Sequence, residues 1–119
     1  MGILTREQIL QADDLQRELV EVPEWDGQVY VRCLTGAERD RYEASIIDVN
    51  NKDGPPNLEN LRAKLVSLTT VDESGERLFS EGDIRALGEK NSAPLQRIFT
   101  VAQRLSAISN TDVEELSKN

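Results

Sequence analysis

The chain of 119 residues is long enough for one domain with a single modest hydrophobic core. Hydrophobic residues make up 38% of it and aromatic residues 4%, below the usual share of a globular protein, so we expect a small core and partly exposed helices. The net charge of −8 argues against binding to a nucleic-acid backbone or an anionic membrane surface, because both reward clustered Lys and Arg.

Residues 1–14 predict a short N-terminal helix. Thr5 and Gln8 have the spacing of a capping box, in which a Thr hydroxyl accepts from a backbone N–H and the Gln side chain reaches back. Ile9 and Leu10 are the apolar contacts of this helix.

Residues 15–34 predict a β-hairpin, because apolar residues alternate with polar ones on both sides of a turn signal. Asp26-Gly27 suits a two-residue type I′ turn, whose residues have positive φ angles. That turn implies three cross-strand pairs, namely Val22–Val31, Val20–Cys33 and Glu21–Arg32.

Residues 35–110 predict the helical part of the domain. It opens with a capping box at Thr35 and Glu38, and Tyr42, Ile46 and Val49 then share one helical face. Residues 50–56, rich in Asn, Gly and Pro, predict a flexible surface loop.

A leucine stripe marks the next helix, which Asn57 is expected to cap and which we expect to lie across the hairpin; the stripe is Leu58, Leu61, Leu65 and Leu68. Residues 71–79 then indicate either a β-turn excursion or a very short hairpin around Ser74-Gly75.

Two further helices are predicted before the C-terminus. A short one begins after Ser80 and stops at Gly88. The last one starts at Ser92 and ends at Ser109-Asn110, with an apolar stripe of Leu95, Ile98, Phe99, Ala102, Leu105 and Ile108. Residues 111–119 are expected to be weakly ordered. The fold class is therefore α+β, a single domain over 1–119 in which a two-stranded antiparallel hairpin packs with about four to six helices.

The residues expected of an enzyme are missing. The chain has no histidine, which excludes Ser-His-Asp and Cys-His catalysis and the common zinc ligands. Neither acidic turn, at Gly54 or Gly75, places carboxylates at both ends of an EF-hand loop. Cys33 is interpreted as a small buried apolar residue. We predict no catalytic residue, no metal ligand and no cofactor.

The sequence also lacks targeting signals. No apolar run approaches the roughly 18 residues of a membrane-spanning helix, and the first residues do not have the pattern of a signal peptide. The single cysteine cannot form an internal disulfide, which fits a reducing cytoplasm.

Two long segments of the chain resemble the tail assembly chaperones of long-tailed, siphovirus-type bacteriophages and prophages. They are VEVPEWDGQVYVRCLTGAERDRYE, residues 20–43, and NLRAKLVSLTTVDESGERLFSEGDIRALGEKNSAPLQRIF, residues 60–99. The shared pattern covers roughly residues 11–115. Each motif is weak alone, and their order and spacing together carry the resemblance.

The resemblance implies a non-enzymatic role in the bacterial host cytoplasm and absence from the mature virion. The implied partners are the helical tape-measure protein and the tail-tube protein, the latter recruited mainly through a longer frameshifted product. Exposed apolar stripes are also compatible with a homo-oligomer.

Seven apolar residues are candidates for partner contact: Trp25, Ile47, Leu58, Leu61, Leu65, Phe99 and Ile108. Since the same stripes could form the core, both interpretations stay open here.

Two other functions also fit the composition. One is a small structural adaptor or completion protein of the tail or head–tail junction. The other is an acidic DNA mimic, which is disfavoured because the acids alternate with Arg and Lys.

Overall fold

The computed structural model describes residues 2–47 and 58–108. Those residues form five α-helices and a three-stranded antiparallel sheet, in the chain order α1 (Arg6–Gln11), β1 (Arg17–Val22), β2 (Gly27–Arg32), α2 (Gly36–Ile46), α3 (Leu61–Thr69), β3 (Thr70–Val71), α4 (Ile84–Gly88) and α5 (Ser92–Leu105). The predicted α+β class is confirmed. The sheet has the order β1-β2-β3, so the predicted two-stranded hairpin is one strand short. The predictions for Val49, for 50–56 and for 109–119 lie outside the described residues.

The hairpin forms at the predicted place but in a different register. Val22 pairs with Gly27 and Arg17 with Arg32, so the predicted Val22–Val31, Val20–Cys33 and Glu21–Arg32 pairs are wrong. Proline has no N–H to donate to a strand ladder, and Pro23–Trp25 forms a 3-10 helix instead of continuing the strand. Asp26 then takes the left-handed conformation, with φ 54°.

The shift in register keeps the predicted faces, because the pairing moves by an even number of residues. Val20 opposite Val29 lies on the inner face, while Leu19 opposite Tyr30 lies on the other. Val20, Val22 and Val31 are all buried in the core. The alternation of side chains was therefore a better guide than the turn signal.

The third strand comes from the segment with two open interpretations. Tyr30 pairs with Val71, and a further bridge joins Val71 to Arg77, so the very short hairpin is the correct interpretation. The Asp72 carboxylate holds its turn by accepting from the Ser74 backbone N–H at 2.8 Å. Gly75 has φ 87°, which explains a glycine there.

Local capping signals were predicted correctly. Capping boxes close at Thr5 on α1 and at Thr35 on α2. Helix α4 ends at Gly88, as expected. Helix α3, however, starts at Leu61, and its N-cap is Asn60 in the left-handed conformation, so the predicted cap at Asn57 is wrong. Leu58 therefore precedes the helix rather than lying on it.

Helix α5, rather than the leucine stripe of α3, packs across both β1 and β2, while α3 packs mainly against α5 and α4. The expectation that α3 covers the hairpin is therefore wrong. The core between these layers contains Ile46, Leu65, Val66, Ile98 and Ala102, which are all fully buried.

Two ion pairs join α5 to the β1 side of the hairpin. The Arg97 guanidinium donates to Glu24 through Nη1 and Nη2 at 2.7 and 2.8 Å, and Arg104 Nη2 donates to the Glu18 carboxylate at 2.7 and 2.8 Å. The arginine near the start of α5 contacts the end of the strand, and the later arginine contacts its beginning. Helix α5 therefore runs antiparallel to β1.

The Glu24–Arg97 ion pair is expected to stabilise the fold at neutral pH and to lose this effect in acid. The pKa of Glu24 is lowered from 4.5 to about 2, first by the hydrogen bonds from Arg97. Since the folded pKa is depressed, this stabilisation is present above pH 4.5 and is lost as the pH falls towards 2. Urea titrations should show wild type more stable than Glu24→Gln at pH 6, with the difference shrinking across that window. In an Arg97→Gln background the Glu24→Gln change should give no such pH dependence, and a difference that persists at low pH in the wild-type background would contradict the assignment.

A buried ion pair joins β2, α2 and α3. Arg32 donates to both Glu38 carboxylate oxygens, at 3.0 and 3.1 Å, and to the backbone carbonyls of Cys33 and Leu68. The two charged side chains are only 10% and 13% exposed. Burial acts to raise the pKa of Glu38, but the hydrogen bonds from Arg32 and the Thr35 backbone outweigh it and lower that pKa.

Helix α5 ends earlier than predicted, at Leu105. The Ile108 N–H donates to the Gln103 carbonyl at 2.9 Å and the Ala107 N–H to that of Arg104 at 3.3 Å, the two bonds of a Schellman motif. Ala107 occupies the left-handed position of this motif, with φ 55°, where glycine is usual. Ile108 folds back and is buried.

Ala107→Gly should raise the free energy of unfolding by about 0.5–1 kcal/mol, because relief of the left-handed strain exceeds the entropy that glycine loses on folding. The same substitution at exposed Ala44, inside α2, should lower it by about 1 kcal/mol. Chemical denaturation of both variants tests this. Equal destabilisation by both would contradict the strained cap.

Candidate protein-binding surfaces

The described part of the chain offers no site for metal or thiol chemistry. No three potential metal ligands cluster within residues 2–47 and 58–108. Cys33 is buried, as predicted. Among the described helices, none has the length and apolar character needed to cross a membrane. The candidate functional features of the described residues are therefore surfaces for binding other molecules.

The structure divides the seven predicted contact residues into three groups. Leu65, Phe99 and Ile108 are buried in the core. Trp25 and Leu61 are half-buried against that core. Only Ile47 and Leu58 have freely exposed side chains, at 42% and 47%. Helical periodicity identified apolar faces but could not tell which of them would be covered.

Ile47 and Leu58 lie at neighbouring helix ends. Ile47 follows the last residue of α2 and Leu58 lies just before α3. The Lys64 ammonium donates to the Ser45 carbonyl at 3.3 Å, which brings the start of α3 close to the end of α2. These two predicted residues therefore flank the same junction.

One exposed apolar surface of the described residues was missed by the sequence interpretation. Every side chain in residues 2–16, which we call the arm, is exposed. The arm nevertheless contains a capped helix, in which the Gln8 N–H bonds Thr5 Oγ1 and the Thr5 N–H bonds the Gln8 side chain. Leu15 is 42% exposed, and the other four large apolar residues of the arm are 56% to 100% exposed: Ile3, Leu4, Ile9 and Leu10. The available signal was these two apolar pairs on either side of the capping box.

A second surface, the outer sheet face, is a depression lined by Leu19, Tyr30, Val71 and Leu78, of which Val71 is buried. Leu19 and Leu78 are about half exposed. The Arg17 guanidinium lies over the Tyr30 ring, 4.4 Å from its centroid, and donates to the Glu73 carbonyl. The face is therefore only partly covered, by the guanidinium of Arg17.

A third surface is a groove of about 250 Å³ between α2, α3 and the start of α4. We call it the α2–α4 groove; its walls are Arg41, Tyr42, Ser45, Lys64, Ser67, Leu68, Glu81 and Ile84. It continues past Lys64 towards Glu59, Asn60 and Arg85. The groove thus combines apolar walls with charged edges, as sites for a side chain of another protein commonly do.

An α+β body with a packed core, an uncovered apolar arm and open grooves is the architecture of a protein that acts by binding other proteins. The family model for phage tail assembly chaperones matches residues 5–119. The chain therefore belongs to the phage tail assembly chaperone family, as its sequence resemblance implied. No curated protein matches the chain.

The fold is shared with a solved structure, "Structure of bacteriophage HK97 tail assembly chaperone". The two chains are 21% identical, the match covers 83% of this chain and 94% of the other, and the TM-score is 0.61. At this identity the likeness concerns the fold alone. The body described above is thus an architecture that a phage tail assembly chaperone uses.

Proposed function

We propose that this chain binds the tape-measure protein of a siphovirus-type tail, keeps that helical protein soluble, and helps recruit tail-tube subunits to it. The observation that carries the proposal is the arm, a locally ordered segment whose apolar side chains are all left uncovered. A helix of six residues is marginal in water by itself. Contact with an apolar helix of a client would supply the burial that the body does not.

The remaining surfaces support the same role. Ile47 and Leu58 extend the apolar contact area on the body, with half-buried Leu61 beside them and Trp25 at the hairpin tip. Leu65, Phe99 and Ile108 contribute as the core that holds these surfaces in place. The net charge of −8 keeps a chain with this much exposed apolar surface in solution.

The proposed role requires no catalysis. It is exercised in the host cytoplasm before the tube polymerises, and the chain is then left out of the virion. A longer frameshifted product would carry the contact with the tail-tube protein. Self-association would let several copies cover one long client.

Co-purification tests the proposal. A tagged chain expressed with the tape-measure protein of the same tail gene cluster should retain that protein on an affinity column. Failure of the tape-measure protein to co-purify would contradict the proposal. Mass spectrometry of purified particles separates this role from that of a structural adaptor, because a chaperone should be absent from them and an adaptor present.

A further inference from the structure

We propose that the α2–α4 groove binds an aliphatic segment that carries a carboxylate, supplied by a helix of the client protein. The inference rests on the proposed function for the identity of the client. The site itself is argued from the side chains that line the groove.

The groove has an excess of cations on a chain that is acidic overall. Arg41 and Lys64 line it against the single carboxylate of Glu81. Arg85 and Glu59 lie at its continuation past Lys64. Among the described residues, Lys64 Nζ donates one hydrogen bond, to the Ser45 carbonyl, and the ammonium carries further N–H groups that can donate. Burial lowers the pKa of Lys64, and the nearby charge of Glu59 offsets this only in part, so a further negative charge would stabilise the ammonium.

Tyr42 is the second feature that points to an acceptor. This residue lines the groove and is only 2% exposed, and its hydroxyl has no hydrogen-bond partner within residues 2–47 and 58–108. A phenylalanine would fill the same space without burying an unpaired donor, which is unfavourable. An acceptor brought in by a partner would satisfy the hydroxyl.

The apolar walls define the rest of the ligand. Leu68 and Ile84 contribute aliphatic surface, and the whole groove of about 250 Å³ has room for one side chain of moderate length. A carboxylate can accept from an ammonium and a phenol together, while its aliphatic neighbour covers the apolar walls. On a helix, residues three or four apart would present these two groups on the same side.

Hexanoate and its neutral counterpart hexanamide test the chemistry without the client. In NMR titrations of the full chain at neutral pH, hexanoate should shift the methyl resonances of Leu68 and Ile84. Its Kd should be about tenfold lower than that of hexanamide, as a charge-assisted hydrogen bond implies. Lys64→Met should abolish the preference for the acid.

Tyr42→Phe should weaken hexanoate binding several-fold and leave Tm unchanged or higher, because the fold loses an unpaired buried hydroxyl. A tyrosine with a purely structural role would not combine these two results. Tyr30→Phe, on the outer sheet face, is the matched control and should not change hexanoate binding.

The inference would be overturned by equal affinity for acid and amide, by hexanoate shifts that map outside the groove, or by unchanged hexanoate binding in Tyr42→Phe. A tighter hexanoate affinity in the variant Glu114→Gln/Glu115→Gln would also overturn it, because it would identify the chain's own C-terminal segment as the occupant.

The last experiment uses the client protein itself. Lys64→Met should reduce the amount of tape-measure protein that co-purifies with the chain, while Tyr30→Phe should not. If wild type retains the client and Lys64→Met retains it equally, the groove inference fails and the proposed function stands. If wild type does not retain the client, the proposed function fails, whereas the hexanoate titrations still decide the groove chemistry.

Discussion

Replacing Glu38 by Ala is expected to lower the free energy of unfolding by about 3–5 kcal/mol, because it leaves the buried Arg32 guanidinium without its counter-charge. The substitution also removes the acceptor of the Thr35 backbone N–H at the start of α2. Urea denaturation at neutral pH measures the effect. Glu38→Gln should cost less than Glu38→Ala, since the amide oxygen can still accept from the cap.

Glu43→Ala is the matched control on the same helix. Its partner Arg39 lies one turn away, and both side chains are about one-third exposed, so the loss should stay below about 1 kcal/mol. If Glu38→Ala and Glu43→Ala destabilise the protein equally, the buried pair does not hold β2, α2 and α3 together as described.

A quadruple arm variant, Ile3→Ser/Leu4→Ser/Ile9→Ser/Leu10→Ser, should weaken tape-measure binding at least about a hundredfold. Burying even two such side chains contributes about 3–6 kcal/mol of binding free energy, which is more than a hundredfold change in Kd requires. Unfolding should change by less than about 0.5 kcal/mol, since none of the four side chains is buried. Binding assays with purified client, together with thermal unfolding of the variant, measure both.

Leu78→Ser on the outer sheet face is the control for the arm variant. Leu78 is 49% exposed, so the change removes a comparable apolar side chain from a different surface. It should leave tape-measure binding much closer to wild type than the arm variant does. An arm variant that binds the client normally would remove the main support for the proposed function.

The features that the sequence predicted well are those determined by neighbouring residues. The capping boxes at Thr5 and Thr35 and the stop at Gly88 each depend on a few adjacent positions, and the structure contains all three. The acidic turn before Arg77 is also determined locally. The Asp72 carboxylate accepts hydrogen bonds from the backbone N–H groups of Ser74 and Glu76 within that turn.

The predicted hairpin register was wrong because two local sequence signals favour different turns. Asp26-Gly27 favours a two-residue turn, but that turn would have placed Pro23 inside a strand ladder. The error also assigned Arg32 to Glu21, whereas its real partner Glu38 lies on the following helix. Such a pairing depends on how α2 packs against β2, which side-chain alternation does not determine.

Exposure was the least predictable property. Leu58 and Leu65 belong to one leucine stripe in the sequence, yet one is 47% exposed and the other fully buried. The difference arises because α3 begins only at Leu61 and because α5 covers its buried face. The arm shows the reverse case, since Ile9 and Leu10 looked like ordinary helix contacts, yet they are 56% and 66% exposed.

The soluble fraction of the tape-measure protein on co-expression tests the central claim most directly. With the wild-type chain, most of the tape-measure protein should remain in the supernatant after centrifugation. With the quadruple arm variant, which should fold equally well, it should pellet as it does when expressed alone. Equal solubility with the wild-type chain, with the arm variant and with neither would contradict the account.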